Sequence, residues 1–228
     1  AVAGEVEAGW GFTPTVIPNG VDAARFAAAV DDGPGRARWR DQLGCYALAL
    51  GGIEPRKGSI DLLEAMSVVQ QHHPELRLVF AGGETLFDYR DYRLEFERRA
   101  GELRVNYEVL GVIPDDRLPS LVAQASVLGF ASTKEGFGLA AMEALAAGVP
   151  VVARDLPVLR EVFLDTVVYG TNVVSLAAGI LNQVELPLDP GLGRELAASY
   201  TWDAAAAAHQ KFYAAFVESG VPTVEMGL

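Results

Sequence analysis

Residues 135–153 read EGFGLAAMEALAAGVPVVA, and the rest of the chain is interpreted from this stretch. It opens with a glycine-flanked turn and continues into residues that are almost all Leu, Ala and Met, which predicts a buried helix. Gly148 follows as a C-cap glycine, and Pro150 cannot continue the helix. Backbone N–H groups at a helix N-terminus attract anions, so residues 136–138 predict a phosphate cradle.

Two glutamates, Glu135 and Glu143, flank this predicted cradle. Glu143 would lie about 9 Å down the helix at ~1.5 Å per residue, and a lone carboxylate in a buried helix needs a partner. Both carboxylates would repel a phosphate, but they can accept hydrogen bonds from hydroxyls on either side of it. A nucleotide-sugar has this shape. The alternative is that Glu135 is an acid favoured by the helix dipole and Glu143 a half-exposed helix residue.

Two glutamates separated by seven residues, with Gly-Phe-Gly after the first, resemble the signature of the retaining glycosyltransferases of family 4, which have the GT-B fold. The resemblance runs from Val16 to about Ala153 and more loosely to the C-terminus. It implies the donor-binding half of an enzyme that moves a sugar from a nucleoside-diphosphate sugar to an acceptor with retention of configuration. It implies neither an essential metal nor another cofactor.

Composition limits the class of protein. The chain has 228 residues, half of them apolar, and a net charge of −12, which argues against a nucleic-acid partner. It has no uncharged apolar run of 18 residues, so no spanning helix is expected, and its three histidines show no metal-ligand spacing. One cysteine, Cys45, fits a reducing compartment. We therefore predict a cytoplasmic protein, with the inner membrane surface reached through a domain outside this chain.

Short apolar strands alternate with helical segments along most of the chain. This alternation predicts an α/β fold with a Rossmann-like, doubly wound parallel sheet, one half of a GT-B fold. Ligands of such sheets bind at the carboxyl ends of the strands, and each candidate loop follows a strand. Strands are expected at residues 46–50, 76–81, 105–110, 126–131, 150–153 and 167–169, and a short strand and turn at 16–22, where Asn-Gly would supply positive φ.

The loop after the strand at 46–50 carries two adjacent cations, Arg56 and Lys57. Arg offers a planar fork and Lys a point charge, so together they could clamp a diphosphate; the alternative is a solvated turn. Members of the family commonly place Arg directly after the glycine and Lys five residues on. Here Gly52 stands at the Arg position and Lys57 keeps the Lys position, as in the family variant with Glu-Pro-Arg-Lys.

The resemblance assigns roles to these residues. Arg56 and Lys57 would neutralise the leaving diphosphate, Glu135 would position sugar hydroxyls, and Glu143 would hold the ribose hydroxyls. The segment Gly111–Asp115 resembles the loop on which the nucleotide base lies, although a plain strand-to-helix turn explains it equally well. The remaining expected donor contacts are Gly52, Gly111, Val112, Gly136, Phe137, Gly138 and Leu139.

The resemblance also divides the chain. Residues 1–15 would be a lead-in from a preceding domain, residues 16–200 the nucleotide-sugar-binding domain, and residues 201–228 a last helix that crosses to the N-terminal acceptor domain. That domain is not in this chain, so the chain alone is expected to be inactive or nearly so. The last helix carries more aromatic surface than a solvated helix needs, in Trp202, Phe212, Tyr213 and Phe216. Without the domain to which it would cross, part of this helix should be exposed, self-associated or disordered.

Two other functions fit the same architecture. A GT-B nucleotide-sugar epimerase would release the nucleotide by elimination, but such enzymes tend to lack the Glu-Gly-Phe-Gly context. A non-catalytic doubly wound binding module would leave Arg56, Lys57 and Glu143 without a joint purpose.

Overall fold

The computed structural model of the chain describes residues 2–83 and 89–218, apart from the side chains of Phe216 and Glu218. Six strands in this part of the chain form one parallel sheet: β1 Tyr46–Leu50, β2 Arg77–Ala81, β3 Tyr107–Val109, β4 Val127–Phe130, β5 Val151–Arg154 and β6 Val168–Gly170. Their order in the sheet is β3-β2-β1-β4-β5-β6. Strands β2 and β3 are added on one side of β1 and strands β4 to β6 on the other, so the order of addition changes side between β1 and β4. The predicted doubly wound α/β fold is confirmed.

Helices cover both faces of this sheet. The described helices are α1 Val2–Trp10, α2 Ala23–Ala28, α3 Gly33–Leu43, α4 Ser59–His72, α5 Arg90–Leu103, α6 Leu118–Gln124, α7 Leu139–Ala146, α8 Pro157–Phe163, α9 Val173–Glu185, α10 Pro190–Ser199 and α11 Trp202–Glu218. Along β1, Tyr46 and Leu48 pack with the core under α7, whereas Ala47 and Ala49 pack with the core under α4 and α9. Both faces are therefore buried, as a parallel sheet requires.

Helix α7 begins and ends where glycines permit it. Gly138 is its N-cap residue, with φ +94°. At the other end Gly148 has φ +72° and donates its N–H to the Leu145 carbonyl oxygen at 2.9 Å, while Val149 donates to Ala144, also at 2.9 Å. These two bonds are the Schellman pattern. They confirm the predicted end of the buried helix.

The predicted strand and turn at residues 16–22 are wrong, because this segment has no regular structure. Val21 donates its N–H to the Tyr200 carbonyl oxygen at 2.9 Å and not to a neighbouring strand. Gly20 does not need a positive φ either. A Cβ at Gly20 would lie 2.2 Å from the backbone nitrogen of Trp202, so the close approach of the chain before α11 demands the glycine.

The structure adds a helix to the predicted lead-in, and it leaves part of the last helix exposed, as expected. Helix α1 forms within the lead-in, and none of its residues is buried. At the other end Trp202, Phe212 and Tyr213 are exposed, while the Phe216 side chain and residues 219–228 lie outside the described residues. The crossing of α11 to another domain stays a prediction. Among the described helices, none is both long and apolar enough to cross a membrane.

Candidate functional site

The two loops with the predicted charged residues leave the sheet where the strand order reverses. The chain after β1 runs to α4 on one face, and the chain after β4 runs to α7 on the other face, so a crevice opens between them. Thr133 holds the loops together, because its N–H and its hydroxyl donate to the Arg56 carbonyl oxygen at 2.8 and 3.2 Å. At Gly58 a Cβ would lie 2.1 Å from the Ala131 carbonyl oxygen, so the loops touch through backbone.

Lys57 and Glu135 meet in this crevice, as predicted. The Lys57 Nζ atom lies 2.8 Å from Glu135 Oε1, and Arg56 Nη1 lies 3.4 Å from the same oxygen. The side chains of Lys57 and Glu135 are 20% and 11% exposed, whereas that of Arg56 is 47% exposed. The Lys57 ammonium also lies 5.5 Å from the centre of the Phe130 ring, within cation–π range. Lys57 is thus the more desolvated of the two cations.

A second carboxylate approaches the exposed member of this group. Glu54 Oε2 lies 4.0 Å from Arg56 Nη2, and Glu54 as a whole is 8% exposed. Arg56 therefore lies between two carboxylates, and both of them offset its charge. Lys57 contacts Glu135 with one of three donor hydrogens and can direct the others at an anionic ligand.

A cleft of about 980 Å³ opens over the Lys57–Glu135 pair, a volume at the upper end of the range typical of ligand sites. The predicted residues in its wall are Arg56, Lys57, Glu135, Gly136, Phe137, Gly138, Leu139 and Glu143. The structure therefore brings together the cations Arg56 and Lys57, the turn at residues 135–138 and Glu143. Their roles toward a donor stay a prediction.

The turn before α7 presents backbone to this cleft. A Cβ at Gly138 would lie 2.8 Å from the Phe163 ring, so both the positive φ and the packing require glycine there. The first N–H groups of a helix have no partner inside the helix, and those of α7 open at the cleft wall. Phe137 is 9% exposed, with its ring centre 5.2 Å from that of Tyr200 in an edge-to-face contact. Its contact with Tyr200 fixes the turn on the core.

Gly52, Gly111 and Val112 lie at the same edge of the sheet but not in the wall of this cleft. A Cβ at Gly52 would lie 2.6 Å from the Gly83 carbonyl oxygen. This loop therefore has no room for the arginine that the family commonly carries at this position. The next loop touches the same place, because Val112 Cγ2 would lie 2.7 Å from a Cβ at Gly83. The three residues form a strip beside the cleft.

Glu143 lies in the cleft wall, half-buried. Within the described residues its carboxylate makes no hydrogen bond or ion pair. Burial raises the pKa of Glu143 from 4.5 to about 7; the positive charge of Arg25 acts in the opposite direction, and the negative charge of Asp115 raises the pKa further. This half-buried carboxylate lines the cleft, and its role toward the hydroxyls of a ligand stays a prediction.

We expect Glu143→Gln to stabilise the ligand-free protein at pH 8 and not at pH 5. A carboxyl with a raised folded-state pKa contributes stability below its unfolded pKa of about 4.5, and this is lost as the pH rises through about 7. Removing the charge should therefore gain roughly 1–3 kcal/mol at high pH, allowing for partial solvent screening. Thermal unfolding at the two pH values measures it. An equal gain at both pH values would contradict the burial of an ionised carboxylate.

Sequence reasoning missed part of this site. Arg25 and Asp115 lie near Glu143, and residues 14–19, α1 and α8 contribute to the cleft wall. Arg25 comes three residues after the segment 16–22, and this position was the available signal for its place near the site. Within 2–83 and 89–218, no three His, Cys, Asp or Glu side chains are grouped so that they could hold a metal ion.

Comparison with solved structures shows the fold. Anabaena HepE in complex with UDP and glucose matches 92% of this chain with a TM-score of 0.75 at 21% identity, and 57% of that chain is covered. Sucrose-phosphate synthase from Thermosynechococcus elongatus matches 95% of this chain with a TM-score of 0.76 at 23% identity, again over 57% of that chain. The α/β sheet is that of GT-B glycosyltransferase structures.

Comparison of sequences gives the family. The phosphatidyl-myo-inositol mannosyltransferase of Mycobacterium tuberculosis is 36% identical over 152 residues, which are 65% of this chain and 37% of that protein. The GDP-mannose-dependent alpha-(1-6)-phosphatidylinositol monomannoside mannosyltransferase of Mycolicibacterium smegmatis is 33% identical over 181 residues, 72% of this chain and 45% of that protein. The chain thus spans less than half the length of these relatives. Residues 44–190 match the family described as glycosyl transferases group 1, and the chain belongs to that family.

Proposed function

We propose that this chain is the donor-binding half of a glycosyltransferase that transfers a hexosyl group from a nucleoside-diphosphate sugar to an acceptor with retention of configuration. The observation that carries the proposal is the contact of Lys57 with Glu135 at 2.8 Å beside the N-terminus of α7. A cation and free backbone N–H groups suit a diphosphate, and a carboxylate suits the hydroxyls of the attached sugar.

In this proposal the charge of Lys57 acts on the transition state. As the bond between the sugar and the diphosphate breaks, negative charge grows on the leaving phosphate oxygen, and an ammonium fixed by Glu135 and Phe130 stabilises it there. Glu135 accepts hydrogen bonds from the sugar, and Glu143, one turn into α7, accepts them from the ribose. The strip with Gly111 and Val112 offers backbone to the base.

The names of the relatives suggest which donor to test first. Both mannosyltransferases compared above are at least 33% identical, and the name of one specifies GDP-mannose. HepE, at 21% identity, was solved with UDP and glucose. We therefore propose GDP-mannose as the first donor and UDP-glucose as the second. The acceptor domain, independence from metal ions and a location at the inner membrane surface remain parts of this proposal.

The test uses the complete protein and this chain in parallel. We expect GDP or UDP to raise the melting temperature of the chain, and the complete protein to release nucleoside diphosphate from the matching sugar donor. NMR of the product anomer decides between retention and inversion, and activity in EDTA decides on the metal. An epimerase would release nucleotide without forming a glycoside, and a binding module would release none. No stabilisation by any nucleoside diphosphate would refute the proposal.

A further inference from the structure

Arg25 of α2 contacts the loop that follows β3. Its guanidinium donates a hydrogen bond to the main-chain oxygen of Asp115, and Nη2 lies 3.0 Å from the Asp115 carboxylate. The Arg25 backbone is itself fixed, because its N–H donates to the Asp22 side chain at 3.3 Å in the N-cap of α2. The neighbouring Phe26 is 2% exposed, so α2 is anchored in the core.

The loop that Arg25 contacts is otherwise weakly held. Its residues 111–117 are exposed or half-exposed, and Val112 is 78% exposed. Ile113 packs partly against the core, and a turn closes between Pro114 and Arg117. Among the described residues, Arg25 provides the side-chain hydrogen bond that reaches residues 111–115 from another element, while Ser120 of α6 donates its hydroxyl to the Arg117 carbonyl oxygen at 3.0 Å, at the end of the loop. The bond from Arg25 goes to a main-chain oxygen, so it fixes the path of the backbone.

The same guanidinium lies close to the cleft. The charges of Arg25 and Asp115 are the two that act on the Glu143 carboxyl, and α2 packs directly on α7. Arg25 therefore lies between the loop after β3 and the helix with Glu143. Arg25 is not part of the cleft wall, so we do not expect it to contact the phosphates of a bound nucleotide.

We propose that Arg25 is a positioning residue that holds the backbone of residues 111–115 at a fixed distance from Glu143, so that a nucleoside fits between them. The inference rests on the proposed function, since it presumes a nucleotide in the cleft. Arg25 would touch neither base nor phosphate. Its effect should therefore depend on whether the ligand carries a nucleoside.

The test compares ligands with and without a nucleoside. Arg25→Met keeps the aliphatic stem and removes the donors. The ligand must then order residues 111–115 without the charged hydrogen bond from Arg25 to Asp115, so we expect GDP or UDP binding to weaken about tenfold. Inorganic pyrophosphate, which would contact Lys57 and the turn before α7 but none of residues 111–115, should bind to the variant within about twofold of wild type. Arg25→Lys keeps one donor and should lose about threefold. The matched control is Arg160→Met, since Arg160 pairs with Asp155 at the surface.

The outcomes separate this inference from the proposed function. Loss of nucleoside diphosphate binding with pyrophosphate binding kept supports Arg25 as a positioning residue. Equal losses for both ligands, or no loss while Lys57→Ala weakens binding, overturn the inference and leave the proposed function intact. If neither Lys57→Ala nor Arg25→Met changes binding, the proposed function fails as well. Should Arg25→Met not fold, the two-ligand comparison is made with Arg25→Lys, where equal affinities to wild type overturn the inference.

Discussion

Replacing Lys57 with alanine should weaken binding of GDP or UDP by about one to two orders of magnitude. The Lys57 ammonium is mostly desolvated in the cleft wall, and a charge-assisted hydrogen bond is worth ~1.5–3 kcal/mol. Arg56 cannot replace it, because Arg56 is more exposed and has Glu54 and Glu135 close by. Isothermal titration calorimetry on the wild-type and variant chains measures the loss.

Lys134 provides a matched control for this variant. It precedes Glu135 and is exposed, and it does not contribute to the cleft wall. Lys134→Ala removes the same charge from nearly the same place and should leave affinity within about twofold, because exposed charges are screened by salt. Equal losses in the two variants would show that net charge and not the Lys57 contact governs binding. Unchanged affinity in Lys57→Ala would remove Lys57 from the site.

The pattern of strands was predictable because each is a short apolar run between turn residues. The structure moves their ends by one or two residues, as is common at element boundaries. Helix α10 was not predicted, since Gly191 and Gly193 lower its intrinsic helix propensity, although Asp189 as N-cap and Pro190 at the first helical position are helix-start signals. Tertiary packing overrides this preference. A Cβ at Gly193 would lie 2.8 Å from Leu145, so the glycine lets α10 pack tightly on α7.

The clamp was predictable for a topological reason, and its surroundings were not. Lys57 and Glu135 follow strands of one parallel sheet, so both had to lie at its carboxyl edge. Arg25 and Tyr200 belong to segments outside the sheet. Their contacts with Asp115 and Phe137 depend on how α2 and the end of α10 pack, and no local pattern encodes that packing. The departure at Gly52 was visible in the sequence, but its physical reason needed coordinates, because the Gly83 carbonyl that excludes a side chain comes from another loop.

Replacing Glu135 with glutamine should separate turnover from nucleotide binding. The Glu135 carboxylate forms ion pairs with Lys57 and Arg56, so it competes with a phosphate for their donor hydrogens. Glutamine keeps the shape and removes the charge, so GDP or UDP should bind as tightly as to wild type or more tightly. Contacts of Glu135 with the sugar should strengthen as the bond breaks, so kcat of the complete protein should fall about 10²–10³-fold.

This pair of opposite effects distinguishes a catalytic carboxylate from a structural one. If Glu135 served only to orient Lys57, Glu135→Gln would lower nucleotide affinity and turnover together, because the ammonium would lose its anchor. Calorimetry with GDP or UDP, and kcat with the matching sugar donor, give the two quantities. Glu195→Gln on the exposed face of α10 is the control and should change neither. A lowered affinity with an unchanged kcat would place Glu135 at the ribose and not at the transferred sugar, and the donor would then lie in the cleft in the opposite direction.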